Sequence, residues 1–402
     1  MKLSLVGISH RHAPIEVRER VALDARASSA LARELAAGGR ECVCLSTCNR
    51  TELYAVGDGA GPRSLEALRN LGGDKVAALC YRLDDHAAAL HLFRVAAGLD
   101  SLVPGEGEIL GQVRAAYEAG APGSLLSRLF HDALHAGKRA RAQTTIAESP
   151  ASVPSAAAAL AQQVFGDLKG RRVLIVGAGK VGELAARSFS VRGAELVAVV
   201  NRSEERGGEL ARTYGAAAVP AERLAEELAA ADVAVSCTSA PGFIVRREDI
   251  RERKGRPLFL IDLAVPRDVD PAVNDIDGCY LYDIDDLEAV VEATLWGRRR
   301  EAERAEGIVA EEAERFRAWQ ASLDVVPTIA SLRARAEEIR SAELSKAKLS
   351  DRERAAVDSI TTQILNKLLH LPTVRMKEAA AAADAVLYAD AVRHLFGLEE
   401  ER

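Results

Sequence analysis

The sequence predicts a multidomain α/β protein ending in an all-helical region, and three observations carry that reading. Apolar runs of strand length, among them LSLVGIS, ECVCLST and RRVLIVGAG, are separated by helix-like stretches. This strand–helix alternation is densest from residue 151 to 285, as in a parallel, doubly wound sheet. Beyond Asp285 the strand signals stop, and Leu287, Val290, Val291, Leu295, Ile308, Val309, Ala313, Phe316 and Leu323 recur at helical spacing through a charge-dense stretch. At 402 residues the chain exceeds one ordinary core and divides into several domains.

In chain order, residues 1–150 read as an α/β unit. LSLVGIS is its first strand, and ECVCLST and TELYAV are two more about a polar turn. A helix spans Asp85 to Ala97, with Leu90, Phe93 and Ala97 on one face. Gly98-Leu99-Asp100-Ser101 ends it, and a loop over Pro104 to Gly107 precedes the next helix at Ile109. Ser149 to Pro154 reads as a linker. The unit over 151–285 then runs through a helix (Ala156 to Phe165), the strand RRVLIV, the helix VGELAARSF and the strands ELVAVV, DVAVSCTS and LFLIDLA. A long helix over 286–326 follows, which Pro327 ends or kinks. Residues 327–402 read as amphipathic helices, and the whole arm as a dimerisation element or a coiled-coil linker.

Composition narrows the class. The chain is 48% hydrophobic and 28% charged, as globular proteins are, while 4% aromatic content and the alanine runs at 156–159 and 379–383 favour helix. MKLSLVGISH enters a strand without signal-peptide architecture, and no apolar run approaches a membrane span, so a cytoplasmic protein is expected. In that compartment the six cysteines are expected as thiols. A net charge of −6 gives no global basic field, so any RNA contact must use local patches.

Gly177-Ala178-Gly179-Lys180-Val181-Gly182 follows an apolar strand and opens a helix. The first glycine makes the tight turn, the second lets backbone approach a pyrophosphate, and the third permits close helix–strand packing. The helix N-terminus offers N–H groups and a positive dipole end to phosphates. This is a Rossmann-type dinucleotide site. At the end of the next strand an NAD site usually places a carboxylate, but here stands Asn201-Arg202-Ser203, with Glu204 and Glu205 following. An arginine and a hydroxyl suit a 2′-phosphate, which favours NADP.

Cys48 lies in Ser46-Thr47-Cys48-Asn49-Arg50-Thr51-Glu52, at a strand-end turn. Such turns hold reactive groups rigid and open. Arg50 could lower the thiol pKa or clamp a substrate carboxylate. A nucleophile combined with a hydride donor implies reduction of an acyl group through a thioester. Cys42 and Cys44 alternate with Val43 and Leu45 and read as core residues. His10 and His12 read as hydrogen-bonded or surface histidines, and no metal site is expected from this spacing.

Together with GISHRHAP, GLDSLVPGEGEILGQV, IDLAVPRDVDP, YDIDDLEAVVE and NKLLHLPT, these motifs make the chain resemble the glutamyl-tRNA reductases over nearly its whole length. The resemblance implies a catalytic domain, an NADPH-binding domain, a long connecting helix and a helical dimerisation domain. It implies that Cys48 attacks the ester of glutamyl-tRNA(Glu) and that NADPH reduces the thioester to glutamate 1-semialdehyde, without a metal, at the start of tetrapyrrole synthesis. Matching positions carry substrate contacts onto Thr47, Asn49, Arg50, Ser101, Glu106, Gly107, Glu108 and Gln112, and a role in activity onto His91. Gly107-Glu108 departs from the family's usual Pro-Gln. The resemblance further implies a homodimer, tRNA phosphate contacts from Lys138, Arg139 and Arg141, and glutamate-1-semialdehyde aminomutase as a partner. Two rival readings use part of the motifs: a shikimate-dehydrogenase-like NADP oxidoreductase, which leaves Cys48 idle, and a non-catalytic tRNA-binding regulatory protein.

Overall fold

The computed structural model describes residues 2–102, 108–144, 146, 152–251, 253, 255–287, 299–381 and 385–398. The chain divides into two compact units, Met1–Ala310 and Glu311–Arg402.

The first unit opens with β1 (Leu3–Ser9), α1 (Ile15–Arg18), α2 (Ala25–Ala36), β2 (Glu41–Ser46), β3 (Arg50–Val56), α3 (Ala60–Gly72), α4 (Asp74–Leu79) and β4 (Tyr81–Asp84). Helices α5 (Asp85–Ala97), α6 (Ile109–Ala119) and α7 (Ser124–Gln143) follow. The four strands form an antiparallel sheet in the order β2-β3-β1-β4. Val6, Ile8, Cys42, Cys44, Leu53 and Ala55 alternate onto one face, where Ala32, Leu68 and Val76 of the helices cover them. Burial pushes the Cys44 thiol up to about 11, and Cys42 higher still, so both behave as core residues, as their alternation suggested. β3 is buried at every position, so this sheet is covered on both faces.

The second half of the unit holds α8 (Val153–Phe165), β5 (Arg172–Val176), α9 (Lys180–Val191), β6 (Glu195–Val200), α10 (Glu204–Tyr214), β7 (Ala217–Val219), α11 (Leu224–Ala230), β8 (Val233–Ser236), β9 (Leu258–Asp262) and β10 (Cys279–Tyr282). The sheet order is β10-β9-β8-β5-β6-β7 and every pairing is parallel. This is the doubly wound order, with the reversal between β5 and β8 opening a crevice at the carboxyl ends of the strands. Ser152 starts α8 by accepting the Ser155 N–H at 3.3 Å, with proline in the first turn.

Helices α12 (Arg299–Lys346), α13 (Asp351–Ala381) and α14 (Ala385–Phe396) complete the chain. The expectation that a helix begins near residue 286 falls partly on residues 288–298, outside those described. Pro327 does not end the helix, which continues to Lys346. A proline within a helix costs about 3 kcal/mol. Burial of Val325, Thr328, Ile329 and Leu332 around it offsets that cost. Val325 and Ile329 pack with Met376 and Ala389 as the core of the second unit. On α13, Ile360, Ile364, Leu368 and Leu371 recur on one exposed face. Among the described residues no helix is long and apolar enough to cross a membrane.

Candidate functional site

Strands β2 and β3 are joined by a turn that the Thr47 N–H closes onto the Arg50 carbonyl at 2.8 Å, leaving Cys48 and Asn49 at its tip. Thr47 Oγ1 accepts the Asn49 N–H at 3.2 Å, and buried Arg18 donates Nη1 to the Cys48 carbonyl at 2.6 Å. The backbone carrying the thiol is therefore held from both sides. Cys48 itself is half-buried.

Behind the turn lies a buried charge network centred on Glu52. Its Oε1 accepts from Arg50 Nη1 at 3.0 Å, Tyr81 OH at 2.6 Å and His91 Nε2 at 2.8 Å, and its Oε2 accepts from Tyr54 OH at 2.6 Å. Burial alone would raise this carboxyl, but His91 and Arg50 hold it well below the usual carboxylate range. An ionised carboxylate only accepts, so His91 donates Nε2–H to it. Arg50 also donates Nη1 to Asp100 Oδ2 at 2.7 Å and Nη2 to the Asp100 carbonyl. Asp100 is brought there by the end of α5, where Gly98 adopts φ 78° and Leu99 N–H returns to the Arg94 carbonyl at 2.9 Å.

The glycine turn is built as its spacing suggested. Gly177 has φ +108°, and a Cβ there would lie 2.9 Å from the Cys237 carbonyl oxygen. Gly179 caps α9 without a side-chain acceptor, and a Cβ on it would meet nothing within 4 Å among the described residues. The helix N-terminus thus faces open space, which fits a pyrophosphate. Asn201 Oδ1 accepts the Ala178 N–H at 3.0 Å and ties the turn to the end of β6. Ser203 accepts the Arg206 N–H at 3.4 Å as the cap of α10, while Arg202 and Arg206 are both exposed.

Segments from the two halves of the first unit meet around Cys48. The thiol residue packs against the core cluster that contains Ile175 and Ala185 and that Ala178 and Val181 of the glycine turn also cover. Asp285 receives Arg18 Nη2 on Oδ1 and the Ile15 N–H on Oδ2 at 2.9 Å. Arg267 grips Glu19 through Nε at 3.1 Å and Nη2 at 2.8 Å. Lys180 Nζ lies 3.2 Å from Glu108 Oε1.

Sequence families divide the chain in the same sense. A model described as glutamyl-tRNAGlu reductase, N-terminal domain, matches residues 6–144. One described as shikimate / quinate 5-dehydrogenase matches 159–290, and the glutamyl-tRNAGlu reductase dimerisation domain matches 304–398. The glutamyl-tRNA reductase of Pelobacter propionicus is 42% identical over 100% of this chain and 97% of its own. That of Rubrobacter xylanophilus is 44% identical over 99% and 97%. The chain belongs to the glutamyl-tRNA reductase family. A solved structure of the Methanopyrus kandleri glutamyl-tRNA reductase is 33% identical over 98% of this chain and 99% of its own, with a TM-score of 0.49. The dehydrogenase-type segment makes the second half of the first unit a nicotinamide-binding domain.

Set against the glutamyl-tRNA reductase expectations, Thr47, Asn49, Arg50 and His91 come together around the turn and its network, with buried Ser101 next to Asp100. Gln112 instead lines a cavity of ≈ 160 Å³ with Ser28, Cys44 and Ser46. Glu108 faces Lys180, and Glu106 and Gly107 lie outside the described residues. Lys138 is exposed, whereas Arg139 and Arg141 are half-buried on α7. His12 is exposed and bonded to Ser9 Oγ at 3.0 Å, while His10 is half-buried and its Nδ1 has no hydrogen-bond partner among the described residues. Sequence reasoning missed Arg18, Glu52, Tyr54, Tyr81, Asp100 and Asp285 as parts of the site. Glu52, Tyr54, Asp100 and Asp285 stood inside the quoted segments, which was the signal available.

Proposed function

We propose that the chain reduces glutamyl-tRNA(Glu) to glutamate 1-semialdehyde with NADPH, the first committed step of tetrapyrrole synthesis. The observation that carries this is the shared core: Cys48, on a clamped turn, packs on the cluster that the glycine turn also covers. In this reading the Cys48 thiolate attacks the ester carbonyl carbon. A C–S bond forms, the C–O bond to the tRNA ribose breaks, and the departing oxygen takes up a proton. A bound reduced nicotinamide supplies hydride chemistry at the resulting thioester carbon. Cleavage of the C–S bond returns the Cys48 thiolate and frees the aldehyde. His91, oriented by Glu52, is the proton-holding group beside these steps, through Nδ1.

Thr47, Asn49, Arg50 and Ser101 are the substrate contacts of this reading, and Gln112 is left to the cavity it lines with Ser28, Cys44 and Ser46. Glu108 takes part together with Lys180, the residue it faces. Gly177 to Gly182 receive the pyrophosphate, and Arg202, joined by Arg206, suits the 2′-phosphate of NADPH better than a bare ribose hydroxyl. Residues 304–398 support a homodimer, for which the exposed Ile360, Ile364, Leu368 and Leu371 face of α13 is suited. Lys138, Arg139 and Arg141 are proposed for tRNA phosphates. A reactive aldehyde product favours direct transfer to the aminomutase, and the cytoplasm is the proposed compartment.

The test is NADPH oxidation at saturating glutamyl-tRNA, with free glutamate and uncharged tRNA as controls. Oxidation with charged tRNA alone, with aldehyde formed, supports the reading. Binding of tRNA with no oxidation overturns it in favour of a regulatory role.

A further inference from the structure

Strand β1 ends at Ser9, paired with Arg50, and the chain then lays His10 along the nucleophile's turn, its N–H donating to the Asn49 carbonyl at 2.9 Å. Three polar atoms at this junction are buried and have no hydrogen-bond partner among the described residues: His10 Nδ1, Asn49 Oδ1 and Arg50 Nε. Asn49 and Arg50 are almost wholly buried, at 6% and 1% exposure. Leaving such an atom unsatisfied costs about 1–3 kcal/mol. By contrast Glu52, two residues beyond Arg50, has four donors. Buried atoms left open together beside a nucleophile call for a ligand that completes them.

The chemistry of the opening is definite. Arg50 Nε–H can only donate, Asn49 Oδ1 can only accept, and His10 Nδ1 can do either according to tautomer. Burial, with Arg50, Arg11 and Arg18 outweighing Asp100, pulls His10 down to about 4, so its ring is uncharged at neutral pH. Three arginines around it favour an electron-rich oxygen over an ammonium group at that nitrogen. A glutamyl group supplies both kinds of partner, oxygens for the donors and an amino N–H for Asn49 Oδ1.

We propose that His10 is a substrate-contacting residue whose Nδ1–H donates to an oxygen of the glutamyl group held at Cys48. This rests on the reductase reading above and adds to it a contact from the end of β1. The donor is supplied by the ring without a net charge, so the contact does not depend on titration of His10 across the neutral range.

The experiment compares full-length His10→Asn and His10→Leu, similar in volume and differing in the N–H donor. The readouts are kcat/KM for glutamyl-tRNA, NADPH affinity and melting temperature. His10→Asn is expected to keep kcat/KM at least tenfold above His10→Leu, with equal NADPH affinity and the same shape of pH profile as the parent between pH 6 and 8. Equal kcat/KM in the two variants, or a parental value in His10→Leu, overturns the proposal. If either variant melts early, His10→Gln and His10→Met ask the same question with longer side chains. A parent enzyme that forms no aldehyde from charged tRNA would instead sink the reductase reading itself, which separates the two failures.

Discussion

Two glycines of the cofactor turn are expected to fail for different reasons when changed to alanine. At Gly182 a Cβ would lie 2.1 Å from the Gly177 carbonyl oxygen and 3.1 Å from Cys237 Sγ. A carbon needs about 3.5 Å from such neighbours, so α9 and the turn must part by roughly 1.4 Å. Overpacking of this kind costs about 1–3 kcal/mol. At roughly 2–4 °C per kcal/mol for a domain of this size, Gly182→Ala should lower the first melting transition by roughly 2–12 °C. At Gly179 the added methyl meets nothing within 4 Å among the described residues and the backbone is extended, so Gly179→Ala should melt as the parent does. Its methyl, however, projects into the space that a pyrophosphate must enter. A loss of at least about tenfold in NADPH affinity, about 1.4 kcal/mol, is expected. Scanning calorimetry and a fluorescence titration with NADPH read the two effects separately. Parental NADPH affinity in Gly179→Ala would refute the assignment of this turn to the cofactor. Parental melting in Gly182→Ala would refute the packing argument.

Other outcomes follow from the same geometry. Cys48→Ser should bind NADPH normally yet form no aldehyde in the coupled assay, because a hydroxyl in place of the thiol gives no thioester. Glu52→Ala strips four donors of their acceptor and leaves Arg50 with Asp100 alone. Breaking a buried pair in this way costs about 3–5 kcal/mol, so thermal denaturation should show a fall of roughly 10 °C at pH 7. Burial pushes the Asp262 carboxyl up to about 7 against three backbone N–H donors, from Ala264, Asp268 and Val269. The folded chain therefore holds that proton to higher pH than the unfolded chain, whose carboxyl titrates near about 4. Stability should fall as pH rises from about 4 to 7 and level off above; melting curves of Asp262→Asn across that window should be flatter than the parent's.

What could be read from the sequence was whatever depended on local spacing. The glycine turn needed only a strand before it and a helix after it, and the hairpin around Cys48 needed only two apolar runs about a polar turn. The stop of α5 at Gly98 was equally local. Strands β7 and β10, at three and four residues, are too short to show a period of two. That the helix runs on past Pro327 could not be read locally, because the pull of its buried neighbours is a tertiary effect. The buried network was hidden for a different reason. In TELYAV the alternation rule sends Glu52 to solvent on the face opposite Leu53, but this sheet is covered on both sides, so the rule has no solvent face to use.

One residue did mark the network in advance. Gly7 interrupts the apolar run LSLVGIS and pairs directly with Glu52 across β1 and β3. A Cβ on Gly7 would stand 2.8 Å from Glu52 Cγ and 3.1 Å from the Tyr81 hydroxyl. A glycine inside a strand often marks a close approach, and here what approaches is the carboxylate with one of its donors. Gly7→Ala should therefore disturb His91 and Arg50 although it touches neither, because both are aligned by the carboxylate that the methyl would displace. The expected signature is a fall in kcat for glutamyl-tRNA with NADPH affinity unchanged, since the cofactor turn lies on the other sheet. A variant with parental kcat would mean that Glu52 shifts without consequence, and the network would then be a matter of stability alone.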